Sequence, residues 1–178
     1  IDVDNAKIRA IYEDHNQNLW IGCYHRGMVM VSKESTPFHF WSVPTREYPQ
    51  AGVITALYKD DDGHIVSGVE GEGVFKITSE GNITDHLFSG KTVSSIYKDY
   101  SGNLWFGGYY SGLYMQDAKG NVRFMLPEIK LKDIKKITGD DKGNLYLSLF
   151  GSGFIRYHLP TQTVTEYQSS SGGLRNNW

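Results

Sequence analysis

Asp99-Tyr100-Ser101-Gly102-Asn103-Leu104-Trp105-Phe106-Gly107, with a further glycine at Gly112, decides the fold because it recurs. Asp14-His15-Asn16-Gln17-Asn18-Leu19-Trp20-Ile21-Gly22, leading to Gly27, keeps the same Asp-x-x-x-Asn-Leu-Trp-x-Gly pattern. Asp60-Asp61-Asp62-Gly63-His64-Ile65-Val66-Ser67-Gly68 reaches Gly73, and Asp140-Asp141-Lys142-Gly143-Asn144-Leu145-Tyr146-Leu147-Ser148 reaches Gly153. The four leading aspartates are 46, 39 and 41 residues apart. A period near 40 marks one supersecondary unit repeated, each copy stacking on its neighbours to bury its apolar faces.

Each unit reads as four short strands. The first strands are expected over 8–13, 54–59, 93–98 and 134–139. The aspartate turn that follows has hairpin chemistry: Asp bonds the amides of the turn and Gly takes the left-handed position. Gln17 stands where that glycine belongs in the first unit, so its turn is expected to be strained by about 1 kcal/mol or differently shaped. The second strands begin at Leu19, Ile65, Leu104 and Leu145. Trp20, Val66, Trp105 and Tyr146 alternate with these onto the opposite face, so the strands are apolar on both sides and are expected to be buried on both. Third strands are expected over 28–31, 74–77, 113–115 and 154–157, and fourth strands over 38–41, 83–87, 122–126 and 164–167. Four antiparallel strands per unit of about 40 residues describe the blade of a β-propeller. The expected blades are 1–44, 45–88, 89–126 and 127–168, with 169–178 a lead-in to a further blade. Ile1-Asp2-Val3-Asp4 and Leu174-Arg175-Asn176-Asn177 have a similar shape, which suggests four units of a larger propeller.

Composition narrows the function. The 178 residues carry a net charge of −2, with no Lys/Arg cluster beyond a pair, which argues against nucleic acid as a partner. No apolar run is long enough to cross a membrane, so no membrane contact is expected from this segment. Cys23, the single cysteine, has no internal disulfide partner and reads as a small packed residue rather than a nucleophile paired with His25. Asp60-Asp61-Asp62-Gly63 lacks the ligand spacing of a calcium loop, and the histidines have no metal-ligand spacing. No metal, no other cofactor and no catalytic residue is expected.

Antiparallel order puts the loops between second and third strands on the face opposite the aspartate turns, beside the lead-in to each blade. These loops differ from unit to unit. Cys23-Tyr24-His25-Arg26, Val69-Glu70-Gly71-Glu72, Gly108-Tyr109-Tyr110-Ser111 and Leu149-Phe150-Gly151-Ser152 place rings beside charged groups. The connection from Ser42 to Gly52 adds Arg46, Glu47 and Tyr48 to the same face. Rings stack on the apolar faces of sugars while Glu, Arg and His bond hydroxyl or acidic groups. The candidate ligand-binding rim is therefore Tyr24, His25, Arg26, Glu70, Glu72, Tyr109, Tyr110 and Phe150. Solvated loop tips without a ligand would carry similar residues. Trp20 and Trp105 read as core, and Trp41 and Trp178 are open.

Asp-x-x-Gly-Asn-Leu-Trp-Phe-Gly-Gly with Ser-Gly-Leu-Tyr after it resembles the two-component regulator propeller repeat. The likeness holds through Asp99–Tyr114 and through Asp14–Gly27 except at Gln17, and the other two units lose the tryptophan to Val66 and Tyr146. The resemblance implies the periplasmic sensor of a bacterial hybrid histidine kinase, with the kinase outside this segment. It also implies an oligosaccharide ligand, and no enzymatic activity in the segment itself. A propeller serving only as a structural or dimerisation module is the second reading. A third is an enzyme of the streptogramin-lyase kind, which shares a similar glycine-rich repeat but needs a general base near a metal. Apolar faces on the terminal blades predict self-association, through those blades or as a sensor dimer.

Overall fold

The computed structural model describes residues 7–25, 27–33, 39–43, 52–129, 132–171 and 174. Among the described residues sixteen strands form four antiparallel sheets, each ordered as its strands follow in sequence. The first contains β1 (Ile8–Glu13), β2 (Leu19–Cys23), β3 (Gly27–Val31) and β4 (His39–Trp41), and the second β5 (Ile54–Lys59), β6 (Ile65–Val69), β7 (Gly73–Ile77) and β8 (Ile83–Leu87). The third contains β9 (Thr92–Lys98), β10 (Leu104–Tyr109), β11 (Gly112–Gln116) and β12 (Val122–Met125). The fourth contains β13 (Ile134–Gly139), β14 (Asn144–Leu149), β15 (Gly153–His158) and β16 (Thr163–Tyr167). The chain is all-β, a segment of propeller blades. It divides into two compact units, residues 1–92 and 93–178. Several strand ends shift from the sequence reading: β11 and β15 extend at both ends, β10 runs on through Tyr109, and β12 stops before Leu126, whose φ of 50° turns the chain out of the ladder. Short 3-10 turns at Pro127–Ile129 and Ser169–Ser171 were not signalled by the repeat.

In the first unit the core gathers Trp20, Met28, Val43, Ile54, Ile65, Val69, Phe75 and Ile77. Trp41 belongs there too. It stacks on Trp20 with ring centroids 5.1 Å apart, and a Cβ on Gly81 would fall 1.8 Å from Trp41 Cδ1. In the second unit Trp105, Leu113, Ile134, Ile137, Leu145, Leu147 and Ile155 form the corresponding core, closed by Ile129 of the short turn. Cys23 is buried, as a small packed residue should be.

The fourth residue of the Leu-Trp-x-Gly run explains how sheets stack within each unit. A Cβ on Gly22 would lie 2.9 Å from Ile54 Cγ2, and one on Gly107 would lie 2.8 Å from Ile134 Cγ2. The glycine is a notch that admits the first isoleucine of the following sheet. Burial on both faces holds throughout β6. It does not extend to β14, where Tyr146 is half-buried and Ser148, in the notch position, is exposed. On β1, Ile8 and Ile11 are 54% and 60% exposed, whereas Ile54 and Ile134 are fully buried.

The aspartate of each repeat works as a clasp. Asp14 Oδ1 accepts the amides of Asn16 and Asn18, while Oδ2 accepts Asn18 Nδ2 (3.1 Å) and Trp20 Nε1 (2.9 Å). Asp99 holds Asn103 and Trp105 Nε1 (2.7 Å) in the same way. Asp140 holds Asn144 and the Tyr146 hydroxyl (3.0 Å). The second repeat has Val66 instead of an aromatic donor, and a lysine takes over. Lys76, paired in register with Val66, brings Nζ to 2.7 Å from Asp60 Oδ2. The turn at Gln17 keeps the same shape: φ is 62° and its amide bonds Asp14 O at 2.9 Å. It is strained, not rebuilt.

Candidate functional site

The loop end begins with a backbone requirement shared by all four units. Gly27, Gly73, Gly112 and Gly153 open the third strands with φ between 73° and 100°. At Gly153 a Cβ would lie 2.1 Å from Tyr167 O, and at Gly73 it would lie 2.3 Å from Leu87 O. Two residues earlier the chain is left-handed again, at His25 (φ 54°), Gly71 (70°), Tyr110 (44°) and Gly151 (66°). Two of the four repeats satisfy that conformation with glycine. The other two place a ring there, at a cost of about 1 kcal/mol each. At Tyr110 the ring is exposed, and strain accepted under an exposed ring is a pointer to function.

In the second unit the structure brings Tyr109 and Phe150 together around a cation that the sequence reading did not single out. Lys135 Nζ lies 4.2 Å from the Tyr109 ring centroid and 4.8 Å from that of Phe150. Lys135 is the extra residue of a β-bulge, since Ile134 pairs with Leu149 and Lys136 with Ser148. A bulge re-aims the side chain it inserts, and here it turns a lysine toward the loop end. Asp133 fixes the loops on either side: its carboxylate accepts the Tyr110 amide at 3.0 Å and its carbonyl accepts the Phe150 amide at 2.9 Å. Tyr110 is 71% exposed and Phe150 53%. The result is an ammonium between two rings, bordered by a third ring open to solvent.

The first unit repeats the plan with other side chains. Arg9 occupies the bulge between Ile8 and Ala10, and its guanidinium carbon sits 4.9 Å from the Tyr24 ring centroid, with Lys7 Nζ at 5.9 Å. Tyr24 meets His25 edge-on at 4.0 Å. The Tyr24 amide donates to Lys7 O (2.7 Å), and the Glu70 amide to Val53 O (2.9 Å). These bonds put each loop beside the lead-in to its own blade, as antiparallel order requires. Glu70 is exposed. Glu72 is half-buried, and its carbonyl lies 2.6 Å from His86 Nε2, whose ring stacks on Phe75. Arg26, Arg46, Glu47, Tyr48 and Trp178 lie outside the described residues.

The residues missed from sequence are Lys135, Asp133, Arg9 and Lys7. Their signal is positional: each stands at, or within one residue of, the first isoleucine of a blade. The bulge that turns Lys135 and Arg9 outward leaves no trace in residue type.

Among the described residues one acidic group has metal-ligand proximity. Ligand atoms of Asp60, Asp62 and His64 lie within 4.8 Å of one another. The fit is poor, because Lys76 already places its ammonium on Asp60. No helix among the described residues is long and apolar enough to cross a membrane.

The two-component regulator propeller model matches residues 2–25 and 87–110. The extracellular domain of hybrid two component system BT3049 from B. thetaiotaomicron is similar over 94% of this chain, with a TM-score of 0.78 and 22% identity. That of BT4673 from the same organism is similar over 92%, with a TM-score of 0.73 and 18% identity. This chain covers 24% of each of those domains. A catalytically inactive virginiamycin B lyase from Staphylococcus aureus is similar over 94% of this chain and 57% of its own, with a TM-score of 0.74 and 15% identity. At these identities the likeness shows the fold. A search of curated proteins finds no match.

Proposed function

The chain carries two-component regulator propeller repeats, and from that premise we propose that it is an extracytoplasmic, ligand-binding segment of a hybrid two-component sensor. On this reading the segment is periplasmic and without enzymatic activity of its own. It takes an oligosaccharide at the loop end of its blades. The observation that carries the reading is Lys135 between Tyr109 and Phe150, with the strained and exposed Tyr110 beside them. Rings offer stacking to the apolar faces of sugars, and the ammonium offers hydrogen bonds to hydroxyl or acidic oxygens. Tyr24, His25, Arg26, Glu70 and Glu72 supply the corresponding groups in the first unit.

The test is calorimetric titration of this chain with a panel of neutral and uronate-bearing oligosaccharides, repeated on Phe150→Ala and Lys135→Met. The expected result is that at least one member binds and that each substitution weakens it by about tenfold, the equivalent of a lost stacking or charged hydrogen bond. Unchanged affinity in both variants would remove the rim assignment.

A pairing module is the second reading, favoured by the exposure of Ile8 and Ile11 on β1. Sedimentation over a range of concentrations tests it: replacing both by Thr should shift the chain toward monomer, and an unshifted profile argues against pairing through this face.

A further inference from the structure

The two units treat one and the same groove differently. In the first unit the last residue of β5 is Lys59, paired in register with Ile65. Its ammonium reaches across to the preceding sheet, 3.7 Å from Asp14 Oδ2, with only 9% of the lysine side chain exposed. The corresponding position in the second unit is Gly139, paired in register with Leu145. The aspartate facing it is Asp99, which accepts the Asn103 and Trp105 donors that match those on Asp14. Among the described residues no cation pairs with Asp99. A cleft of about 460 Å³ opens there, lined by Tyr97, Asp99, Tyr100, Asp140, Asn144 and Pro160, with Asp141 and Lys142 also on its wall.

The walls of the cleft define what fits. Asp99 is buried, and a buried carboxylate without a counter-charge is costly. The Tyr97 hydroxyl leans over Gly139, 2.7 Å from where a Cβ would stand. Burial and the nearby charges of Asp99 and Asp140 raise its pKa, so it stays a neutral phenol that can accept from a cation. Tyr100, 85% exposed, holds an unshielded ring at the mouth, a surface that attracts cations. Leu159 and Pro160 add apolar surface for a short alkyl stem. We propose that this cleft binds a primary alkylammonium group, which takes at Asp99 the place that Lys59 takes at Asp14. The group arrives on a free aliphatic amine or on a lysine side chain of a partner protein.

The inference is independent of the rim and of any sugar. Its test follows amide shifts of the whole chain on titration with n-butylammonium, with n-pentanol as the neutral isostere. The expected result is saturable movement at Tyr97, Tyr100 and Asn144 with butylammonium and little with pentanol, while Asn18, beside the lysine-filled groove, stays still. Asp99→Asn should weaken binding about tenfold, the scale of a lost charged hydrogen bond. Because that variant also loosens the Trp105 clasp, Tyr97→Phe and Tyr100→Ala are measured beside it and should each weaken binding about threefold. A lysine-containing peptide distinguishes the sources: tighter binding than butylammonium points to a protein partner, and equal binding to a free amine. Equal response to pentanol and butylammonium would overturn the proposal. So would an absence of saturable shifts, or unchanged affinity in the two tyrosine variants.

Discussion

At the turn end of the sheets one carboxylate is met by three kinds of partner; at the loop end one backbone carries four different sets of side chains. Asp14 and Asp99 use an indole, Asp140 a phenol and Asp60 a lysine, yet all four clasps serve the same turn. Substitution there is compensated, since Val66 removes a donor and Lys76 restores one. At the loop end nothing compensates. His25 and Tyr110 sit in left-handed positions that Gly71 and Gly151 fill at no cost, and the side chains gained are rings, half-buried at His25 and exposed at Tyr110. The turn end is held by the fold, and the loop end is where side chains are free to be chosen for a partner.

The strongest way to break this contrast is to attack the part of the loop end that belongs to the backbone. Gly153→Ala puts a methyl 2.1 Å from Tyr167 O in a left-handed conformation. It should destabilise the chain by about 3 kcal/mol or more, since the obstacle is main chain and cannot rotate away. Thermal or denaturant unfolding measures it. A loss below about 1 kcal/mol would mean the glycine is not a framework residue.

Next in size is the clasp. Trp105→Phe keeps an aromatic side chain but loses the pyrrole half of a fully buried indole together with its donor to a buried carboxylate, and should cost about 2 kcal/mol or more. Tyr146→Phe removes only a hydroxyl from the half-exposed Asp140 clasp, where water replaces the lost bond, and should cost clearly less. Equal losses would show that burial does not grade these clasps. In the second repeat, Lys76→Met should destabilise alone, and Val66→Trp in the same chain should recover part of the loss.

Acid titrates the same clasps. Burial raises the pKa of Asp14, but bonds from Trp20 and Asn18 and the charge of Lys59 outweigh it and hold the carboxyl at about 2, against 3.8 for an ordinary aspartate. Bonds from the Asn144 amide and side chain lead in holding Asp140 at about 2 as well. A depressed carboxyl stabilises the fold fully above its unfolded value and loses that contribution as pH falls through the folded one. Stability should therefore decline from about pH 4 to about pH 2. Asp14 alone should account for on the order of 1 kcal/mol after solvent screening. Lys59→Met should reduce that decline, and an unchanged acid slope would show that the lysine does not help to set it.

The sequence displays the clasp end because its chemistry is local: Asp, Asn and Trp lie within six residues and bond one another. The glycine-dependent turn that Gln17 strains was readable for that reason, while Trp20 and Trp105 were readable as core from strand alternation. The loop end was readable only in outline. Tyr109 and Phe150 could be named as rim residues, but they are 41 residues apart and meet through Lys135. A β-bulge aims that lysine, and a bulge is a property of register. The notch at Gly22 and Gly107 was visible as a conserved spacing within the repeat, while its purpose needed Ile54 and Ile134 of the next sheet. The open groove at Asp99 was hidden further still, because its sign in the sequence is a lysine that Gly139 replaces.

The smallest effect on stability separates the two ends most directly. Tyr110 holds φ at 44° with its ring 71% exposed, and Gly151 shows that glycine suits the position. Tyr110→Gly removes left-handed strain worth about 1 kcal/mol, while the more flexible glycine in the unfolded chain takes back roughly as much. The unfolding midpoint should therefore stay in place or rise slightly. Oligosaccharide binding at the rim should weaken at the same time, because the exposed ring is gone while Asp133 can still accept the amide at 110. A tyrosine retained against its own backbone preference, with no stability in return, is the mark of a side chain kept for contact. If Tyr110→Gly instead lowers the free energy of unfolding by more than about 1 kcal/mol, the ring is part of the fold after all. The rim would then reduce to Lys135, Tyr109 and Phe150.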